Sequence, residues 1–167
     1  MNNLISAIAQ LPPELATFIL AALPIAEMRA SIPLALTVFH LSDVSAVFWS
    51  LFGNLFPVPF LIFGLPYVIR LLQKIPWVRP YLERYFAYLS SKHSDNFQKL
   101  GASSLGLVTL LPLPGAGIWM GCLLAAIFDL KPRYSVPALV AGTVVEAIIL
   151  FLIVKGALGA WSFLLAV

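Results

Sequence analysis

The sequence has few of the residues that build metal or redox centres. It contains one cysteine, Cys122, and two isolated histidines, His40 and His93. A single cysteine excludes an internal disulfide framework and any multi-cysteine metal site, and two separated histidines do not make a ligand cluster. We therefore expect neither a bound metal nor a cofactor.

Charged residues are also scarce. They make up 10% of the chain, against about 25% in soluble domains, while 61% of the residues are hydrophobic and the mean hydropathy is +0.98. This composition predicts an all-α integral membrane protein. The net charge of +3 comes from basic residues beside apolar segments, and no nucleic-acid-binding module is present, so we do not expect nucleic acid as a partner.

Catalytic motifs are missing as well. The chain has no HExxH or GxSxG motif, and no Asp and His occur together at membrane depth. We therefore predict that the protein is not an enzyme. Two carboxylates alone could still support acid–base chemistry, so an intramembrane enzyme stays as a lesser alternative.

Four apolar blocks are long enough to cross a bilayer, which takes about 20 helical residues: 15–41, 44–72, 102–128 and 134–155. The first and third are interrupted by "LPIAEMRASIP" (23–33) and "LPLPGAGIWMG" (111–121). Proline and glycine favour turns over continuous helix, and the half-helices 15–23 and 33–41 would each be about 13 Å long. We therefore predict two re-entrant hairpins, whose turn residues are Pro24, Pro33, Pro112, Pro114, Gly115 and Gly117.

The distribution of basic residues predicts the orientation. If only blocks 44–72 and 134–155 cross, the linker 73–101 and the loop 129–133 share one face, with eight of the ten Lys and Arg residues on or beside it. The positive-inside rule makes that face cytoplasmic in a multi-pass cell-membrane protein. Within the linker an aromatic stripe predicts an amphipathic helix at the membrane interface, although it could instead pack on the protein's own loops: Trp77, Tyr81, Tyr85 and Tyr88.

The two halves of the chain share one order of elements. A shift of 88 residues superimposes Leu23 and Pro24 on Leu111 and Pro112. We therefore predict one membrane domain over residues 1–167, made of an inverted repeat of a re-entrant hairpin and a transmembrane helix. Its parts are half 1 (about 14–72), the linker 73–101, half 2 (about 102–155) and a C-terminal segment (156–167). Paired interruptions of this kind are typical of transporters with a midplane site.

Three charges lie at membrane depth: Glu27 and Arg29 in the first interruption, and Glu146 in the last apolar block. Each costs about 2.5–3.5 kcal/mol at the bilayer centre, so they must face an interior. Residues two apart on a helix point to different sides, so Glu27 and Arg29 need not pair, and we expect Arg29 to meet Glu146 or a substrate anion. Because desolvation disfavours the charged form of a carboxyl group, Glu27 and Glu146 are candidate proton carriers.

Asn54 is a further candidate for substrate or proton binding. It lies in "GNLFPVP" (53–59), which is either an unwound bend where its amide and freed carbonyl groups coordinate a ligand, or a proline kink in a long helix. A purely structural ion pair at Glu27, Arg29 and Glu146 stays open.

The motifs "EMRASIP" (27–33), "GNLFPVPF" (53–60) and "PLPGAGIWMG" (112–121) resemble the small multidrug export protein family, which is distantly similar to the DedA or VTT membrane proteins. The family pattern of an acidic and a basic residue in the first hairpin falls on Glu27 and Arg29. The resemblance to DedA-like proteins implies opposed re-entrant hairpins and proton-dependent transport, in some members of phosphorylated polyprenyl lipids. Where the family usually has "PGTGAWTG", this chain has Ala116, Ile118 and Met120.

Together these observations predict a proton-coupled transporter or lipid flippase. Its partners would be membrane lipids, protons and an amphiphilic, anionic or phospholipid-like substrate that passes the hairpin tips. A non-transporting membrane scaffold or assembly factor is the main alternative. Two crossing helices make a small enclosure, which favours a homodimer.

Overall fold

The computed structural model describes residues 11–88, 103–110 and 117–165, with side chains up to residue 158. These residues form helices connected by short turns, and no strand occurs among them, which confirms the all-α prediction. The helices are α1 (Pro13–Ala22), α2 (Glu27–Thr37), α3 (Asp43–Leu55), α4 (Val58–Leu72), α5 (79–88), α6 (Ser103–Leu110), α7 (Ile118–Ile127) and α8 (Pro132–Leu165).

Two helical runs are long and apolar enough to cross a membrane: Asp43–Leu72, which contains α3 and α4, and Pro132–Leu158 in α8. Both runs are largely exposed. In an apolar stretch of 18 residues, 11% of the first run and 33% of the second is buried inside the protein. A core helix of a soluble protein would be mostly buried, so these exposed apolar faces fit a membrane protein whose solvent is lipid.

The described residues fall into two compact units. Unit 1 consists of Met1–Phe56 and Val144–Val167, and unit 2 of Pro57–Thr143. Helix α8 therefore contributes its first residues to unit 2 and the rest to unit 1. The candidate charges Glu27, Arg29 and Glu146 all lie in unit 1.

In unit 1, α1 and α2 pack against each other and are joined by a four-residue turn at 23–26. Pro24 lies in this turn, as predicted, because proline ends the hydrogen-bonding pattern of α1. Helix α1 has 10 residues and α2 has 11, so each is about 15–17 Å long. Neither alone reaches across roughly 30 Å of hydrocarbon.

The boundary of the second half-helix differs from the prediction. Helix α2 begins at Glu27, six residues earlier than expected, and Pro33 lies inside it rather than in the turn. Pro33 has no amide proton for the carbonyl oxygen of Arg29, but the residues on either side keep the helical path. The Thr37 hydroxyl donates to the Pro33 carbonyl oxygen at 2.7 Å. Glu27 and Arg29 therefore lie in the first turn of a helix.

Helix α3 packs closely on α1. A Cβ added at Gly53 would overlap the carbonyl oxygen of Phe18 and the Cβ of Ala21, so only glycine allows this approach. The Phe18 ring contacts the rings of Phe52 and Phe56 at centroid distances of 5.5 and 5.4 Å. This contact holds the start of the hairpin against the apolar part of α3.

Helix α3 also runs antiparallel to the C-terminal part of α8. Asp43, at the start of α3, forms an ion pair of 2.7 Å with Lys155. Farther along α3, Leu51 packs on a buried cluster that contains residues of α2 and α8. The α8 members of this cluster, Ala147 and Leu150, precede Lys155 in the chain. The cluster consists of Met28, Ile32, Ala147 and Leu150.

In unit 2, α7 packs against α4 and α6, and the start of α8 packs closely on α6. A Cβ added at Gly142 would overlap the carbonyl oxygen of Gly106 and the Thr109 hydroxyl. The predicted aromatic stripe of the linker is helical in part, since Tyr81, Tyr85 and Tyr88 lie in α5 whereas Trp77 lies in the turn before it. The four side chains are 44–74% exposed, and their location at the membrane interface stays a prediction.

Within the segment 53–59, Phe56 and Pro57 form a two-residue turn between α3 and α4. Phe56 has φ −55° and ψ −44°, and Pro57 has φ −72° and ψ −15°. Both readings of "GNLFPVP" stay predictions. Asn54 lies within α3.

Several backbone features recur in the two units 88–90 residues apart. Gly53 of α3 lies close to the carbonyl oxygen of Phe18 in α1, and Gly142 of α8 lies in the same way close to the carbonyl oxygen of Gly106 in α6. A residue with positive φ marks the start of both α2 and α7: Glu27, the first residue of α2, at 46°, and Gly117, directly before α7, at 102°. Shortly after each of these helices another residue has positive φ: His40 at 51° and Asp129 at 48°.

Candidate functional site

The candidate site begins at Glu27, which has an unusual backbone conformation. Its φ of 46° lies in the left-handed region that residues other than glycine rarely adopt. Such strain costs on the order of 1–3 kcal/mol and persists only where the surroundings impose it, frequently at functional sites. The side chain is nonetheless buried, with 3% of Glu27 exposed. A glutamate is thus held in a strained conformation inside the protein.

Arg29 lies between two carboxylates. Its Nη2 atom is 3.3 Å from Oε1 of Glu146, to which it donates a hydrogen bond, and 3.7 Å from Oε2 of Glu27. The expected meeting of Arg29 with Glu146, 117 residues away in the chain, is therefore present. Helical spacing does not require Glu27 and Arg29 to pair, yet they lie within 3.7 Å, because that spacing does not apply to a residue with left-handed φ at the helix start.

Glu146 is the most deeply buried of the three. Its side chain is 1% exposed, against 24% for Arg29. Oε1 accepts from Arg29, whereas Oε2 has no hydrogen-bond partner among the described residues. A buried carboxylate oxygen without a donor is costly, because the protein does not replace the hydrogen bonds of water.

Two carboxylates thus each lie within 4 Å of one guanidinium at this cluster. The other described lysine or arginine of unit 1, Lys155, is paired with Asp43. Because Arg29 keeps its proton in a protein, a proton bound or released at these three groups would be carried by a carboxylate.

Asn54 is fully buried on α3, and neither its amide nitrogen nor its carbonyl oxygen has a hydrogen-bond partner among the described residues. Two serines that the sequence reasoning missed share this property: Ser31 on α2 and Ser50 on α3. Ser50 precedes Asn54 by four residues and so lies one helical turn from it. That spacing is the signal that could have identified Ser50. Unit 1 thus buries several polar side chains on helices whose other buried residues are mostly apolar: Glu27, Ser31, Ser50, Asn54 and Glu146.

The other predicted turn residues are distributed differently. Pro112, Pro114 and Gly115 lie outside the described residues. Gly117 precedes α7, where its φ of 102° is one that glycine tolerates. Its amide donates to the Val108 carbonyl oxygen at 3.4 Å, which ties the start of α7 to α6. Within the described ranges there is no group of three or more His, Cys, Asp or Glu side chains that could hold a metal ion.

Comparison with protein families decides the classification. The model of the small multi-drug export protein family matches residues 27–149, about three quarters of the chain. The chain belongs to this family. The match begins at Glu27 and includes Arg29, Asn54 and Glu146. It supports the motif resemblance and does not bear on the distant one to DedA or VTT proteins. Family membership and the apolar helices indicate a membrane export protein rather than an enzyme.

No curated protein and no solved structure matches the chain.

Proposed function

We propose that the protein is a proton-coupled transporter that exports an amphiphilic substrate, and that Glu27, Arg29 and Glu146 form its proton-exchange site. The observation that carries this proposal is the position of one guanidinium between two buried carboxylates in a chain of an export family. Charges at membrane depth are usually retained for ion or substrate pathways.

The proposed proton chemistry follows from the charges. Arg29 keeps its proton under all physiological conditions, so the exchangeable proton resides on a carboxylate. Binding of a proton at Glu146 removes the charge that attracts Arg29 across 3.3 Å. That loss weakens the contact between the start of α2 and α8. Proton binding is thereby linked to the position of the hairpin.

We further propose that the α1–α2 pair is a re-entrant hairpin, and that it is repeated in inverted orientation by α6 and α7. The shortness of α1 and α2 supports re-entry, since neither spans the hydrocarbon. The glycine contacts and positive-φ residues that recur 88–90 residues apart support a repeat. Inverted repeats with broken helices are a common architecture of secondary transporters. The linker 73–101 would lie on the cytoplasmic side, as its basic residues suggest.

The proposal is tested in proteoliposomes that carry a trapped pH-sensitive dye. Ethidium and NBD-labelled phosphatidylglycerol are two amphiphilic probes of opposite charge, and an imposed pH gradient provides the driving force. We expect one of the two probes to change the proton flux into liposomes that contain the wild-type protein. The same probe should leave the flux unchanged in liposomes that contain Glu146→Gln. Glu83→Gln is the matched control, because Glu83 is an exposed carboxylate paired with Arg79.

A Glu146→Gln protein that inserts normally and keeps full gradient-driven flux would overturn the proposed site. If neither probe moves protons, and Glu146→Gln restores normal growth to a strain lacking the gene, the scaffold function replaces the transporter.

A further inference from the structure

We propose that unit 2 has a binding site for one phospholipid whose headgroup carries both a phosphate and a primary ammonium group, as that of phosphatidylethanolamine does. The site lies where α7 ends and α8 begins, and none of its residues belongs to the cluster of Glu27, Arg29 and Glu146. The inference therefore does not rest on the proposed transport. The lipid is a resident ligand of the protein, separate from any exported substrate.

The first observation is the turn that joins α7 to α8, which has the hydrogen bonds of a Schellman motif. The amide of Leu130 donates to the carbonyl oxygen of Ala125 at 2.9 Å, six residues being closed into one turn. The amide of Asp129 donates to the carbonyl oxygen of Ala126 at 3.4 Å. Asp129 has a φ of 48° and occupies the left-handed position of the motif, where glycine is the usual residue. The turn thus places an exposed carboxylate directly after α7.

The second observation is a polar cavity of about 510 Å³ beside this turn. An acidic and a basic side chain, Asp129 and Lys131, both line it. Within the described ranges neither of these two side chains forms an ion pair. Tyr134 and Ser103 also line the cavity and provide hydroxyl groups. A ligand in this cavity can therefore contact a carboxylate and an ammonium group that are both available.

Charges of opposite sign in one cavity select a ligand that itself has both signs. The Lys131 ammonium group donates to phosphate oxygens, and the Asp129 carboxylate accepts from a primary ammonium group. A phosphatidylglycerol headgroup has no positive charge for the carboxylate, and a choline headgroup has no N–H to donate to it. Arg133 does not line the cavity, since its guanidinium carbon lies 4.6 Å from the centre of the Tyr134 ring.

The third observation is a second, mostly apolar cavity of about 210 Å³ that shares Asp129 and Leu130 with the polar one. A headgroup in the polar cavity can therefore extend an acyl chain along this apolar surface. The other residues that line it come from α4, α7 and the start of α8: Ile62, Phe63, Pro66, Ala125, Ala126 and Pro132.

The position of the two cavities favours a membrane lipid over a water-soluble zwitterion. Pro132 is the first residue of the run Pro132–Leu158, which is long and apolar enough to cross a membrane. The charged side chains Asp129 and Lys131 directly precede that run, at the depth where phospholipid headgroups lie. On α4, beside the apolar cavity, Phe63 is 70% exposed, as a residue in contact with acyl chains is.

The experiment is native mass spectrometry of the delipidated full-length protein in detergent, titrated with lipids of identical acyl chains. We expect one phosphatidylethanolamine per chain to bind at least about tenfold more tightly than phosphatidylcholine or phosphatidylglycerol, since each of these loses a charge-assisted hydrogen bond to Asp129. Glycerophosphoethanolamine, which has the headgroup without acyl chains, should not bind measurably.

Variants assign the preference to the two charges. Asp129→Asn keeps a residue that tolerates the left-handed conformation, so the turn should form, but the preference for phosphatidylethanolamine over phosphatidylcholine should disappear. Lys131→Gln should weaken all three phospholipids alike, because each has a phosphate. Glu83→Gln, at an exposed carboxylate paired with Arg79, should change nothing.

The inference is overturned if phosphatidylglycerol binds in preference, if the three lipids bind equally, or if no lipid binds. It is also overturned if Asp129→Asn keeps the wild-type preference. Binding of glycerophosphoethanolamine as tight as that of the whole lipid would assign the site to a soluble zwitterion instead. None of these results bears on Glu146-dependent flux, so the proposed function stands or fails separately.

Discussion

Substituting Arg29 should lower the free energy of unfolding, because Arg29 lies between two carboxylates. Removing one partner of a buried ion pair typically costs about 3–5 kcal/mol, because the other charge stays buried and uncompensated. Arg29 is 24% exposed and its contacts with the carboxylates are 3.3 and 3.7 Å long, so we place Arg29→Gln at the lower end, about 3 kcal/mol. This variant leaves Glu27 and Glu146 without their shared cation.

Glu146→Gln should behave differently. It leaves Glu27 and Arg29 as a balanced pair, and the loss should be about 1 kcal/mol, the typical value of one hydrogen bond. The double variant should be more stable than Arg29→Gln alone, because it removes one of the two uncompensated carboxylates. The coupling between the two substitutions should lie in the range of about 1–3 kcal/mol found for contacting residues. The penalty of Arg29→Gln should shrink as the pH is lowered, since protonation removes the uncompensated charge.

The assay is reversible unfolding in mixed micelles, in which the fraction of an unfolding detergent is raised and helix content is followed by circular dichroism. The control pair is Arg79 and Glu83, whose side chains are 65% and 54% exposed. Substituting either should change stability by less than about 1 kcal/mol. The reasoning is refuted if Arg29→Gln is as stable as the wild type, or if Glu146→Gln is the more damaging of the two.

Two further predictions concern packing and depth. Gly53→Ala and Gly142→Ala should each destabilise the protein by about 1–3 kcal/mol, because the new methyl group would overlap backbone atoms. Gly64→Ala, where nothing lies within 4 Å, should be neutral or slightly stabilising, and equal effects at all three positions would contradict the close helix contacts. In a cysteine-free background, Ile25→Cys at the hairpin tip should resist membrane-impermeant maleimide from both sides, whereas Ser42→Cys should react from one side. Reaction of Ile25→Cys from the side opposite Ser42→Cys would show that the hairpin crosses the membrane.

Much of the helix order could be predicted from the sequence, because apolar block length and proline position are local properties. Pro24 lies in the predicted turn. Pro33 does not, because a proline inside a helix removes one hydrogen bond and adds steric strain, and packing of α2 on α1 and α3 can offset that cost. Proline content alone therefore marks an interruption without fixing its boundaries.

The candidate site was predictable only in part, for physical reasons. Arg29 and Glu146 stand out because a charge in lipid needs a partner, so their contact could be anticipated across 117 positions. The contact of Glu27 with Arg29 could not, since it depends on a left-handed backbone conformation that no residue type dictates. Ser31 and Ser50 are hard to predict, because a serine hydroxyl in an apolar helix usually donates a hydrogen bond to a carbonyl oxygen of the preceding turn. These two hydroxyls form no such hydrogen bond.

The most direct test of the proposed proton-exchange site is whether Glu146 changes its protonation state within the folded protein. Infrared difference spectroscopy of the reconstituted protein between high and low pH detects the carbonyl stretch of a protonated carboxylic acid in an apolar environment. We expect such a band at low pH, its loss in Glu146→Gln and its persistence in Glu83→Gln. A band that is absent from the wild type, or that is unchanged in Glu146→Gln, would contradict the assignment of a proton-exchange site.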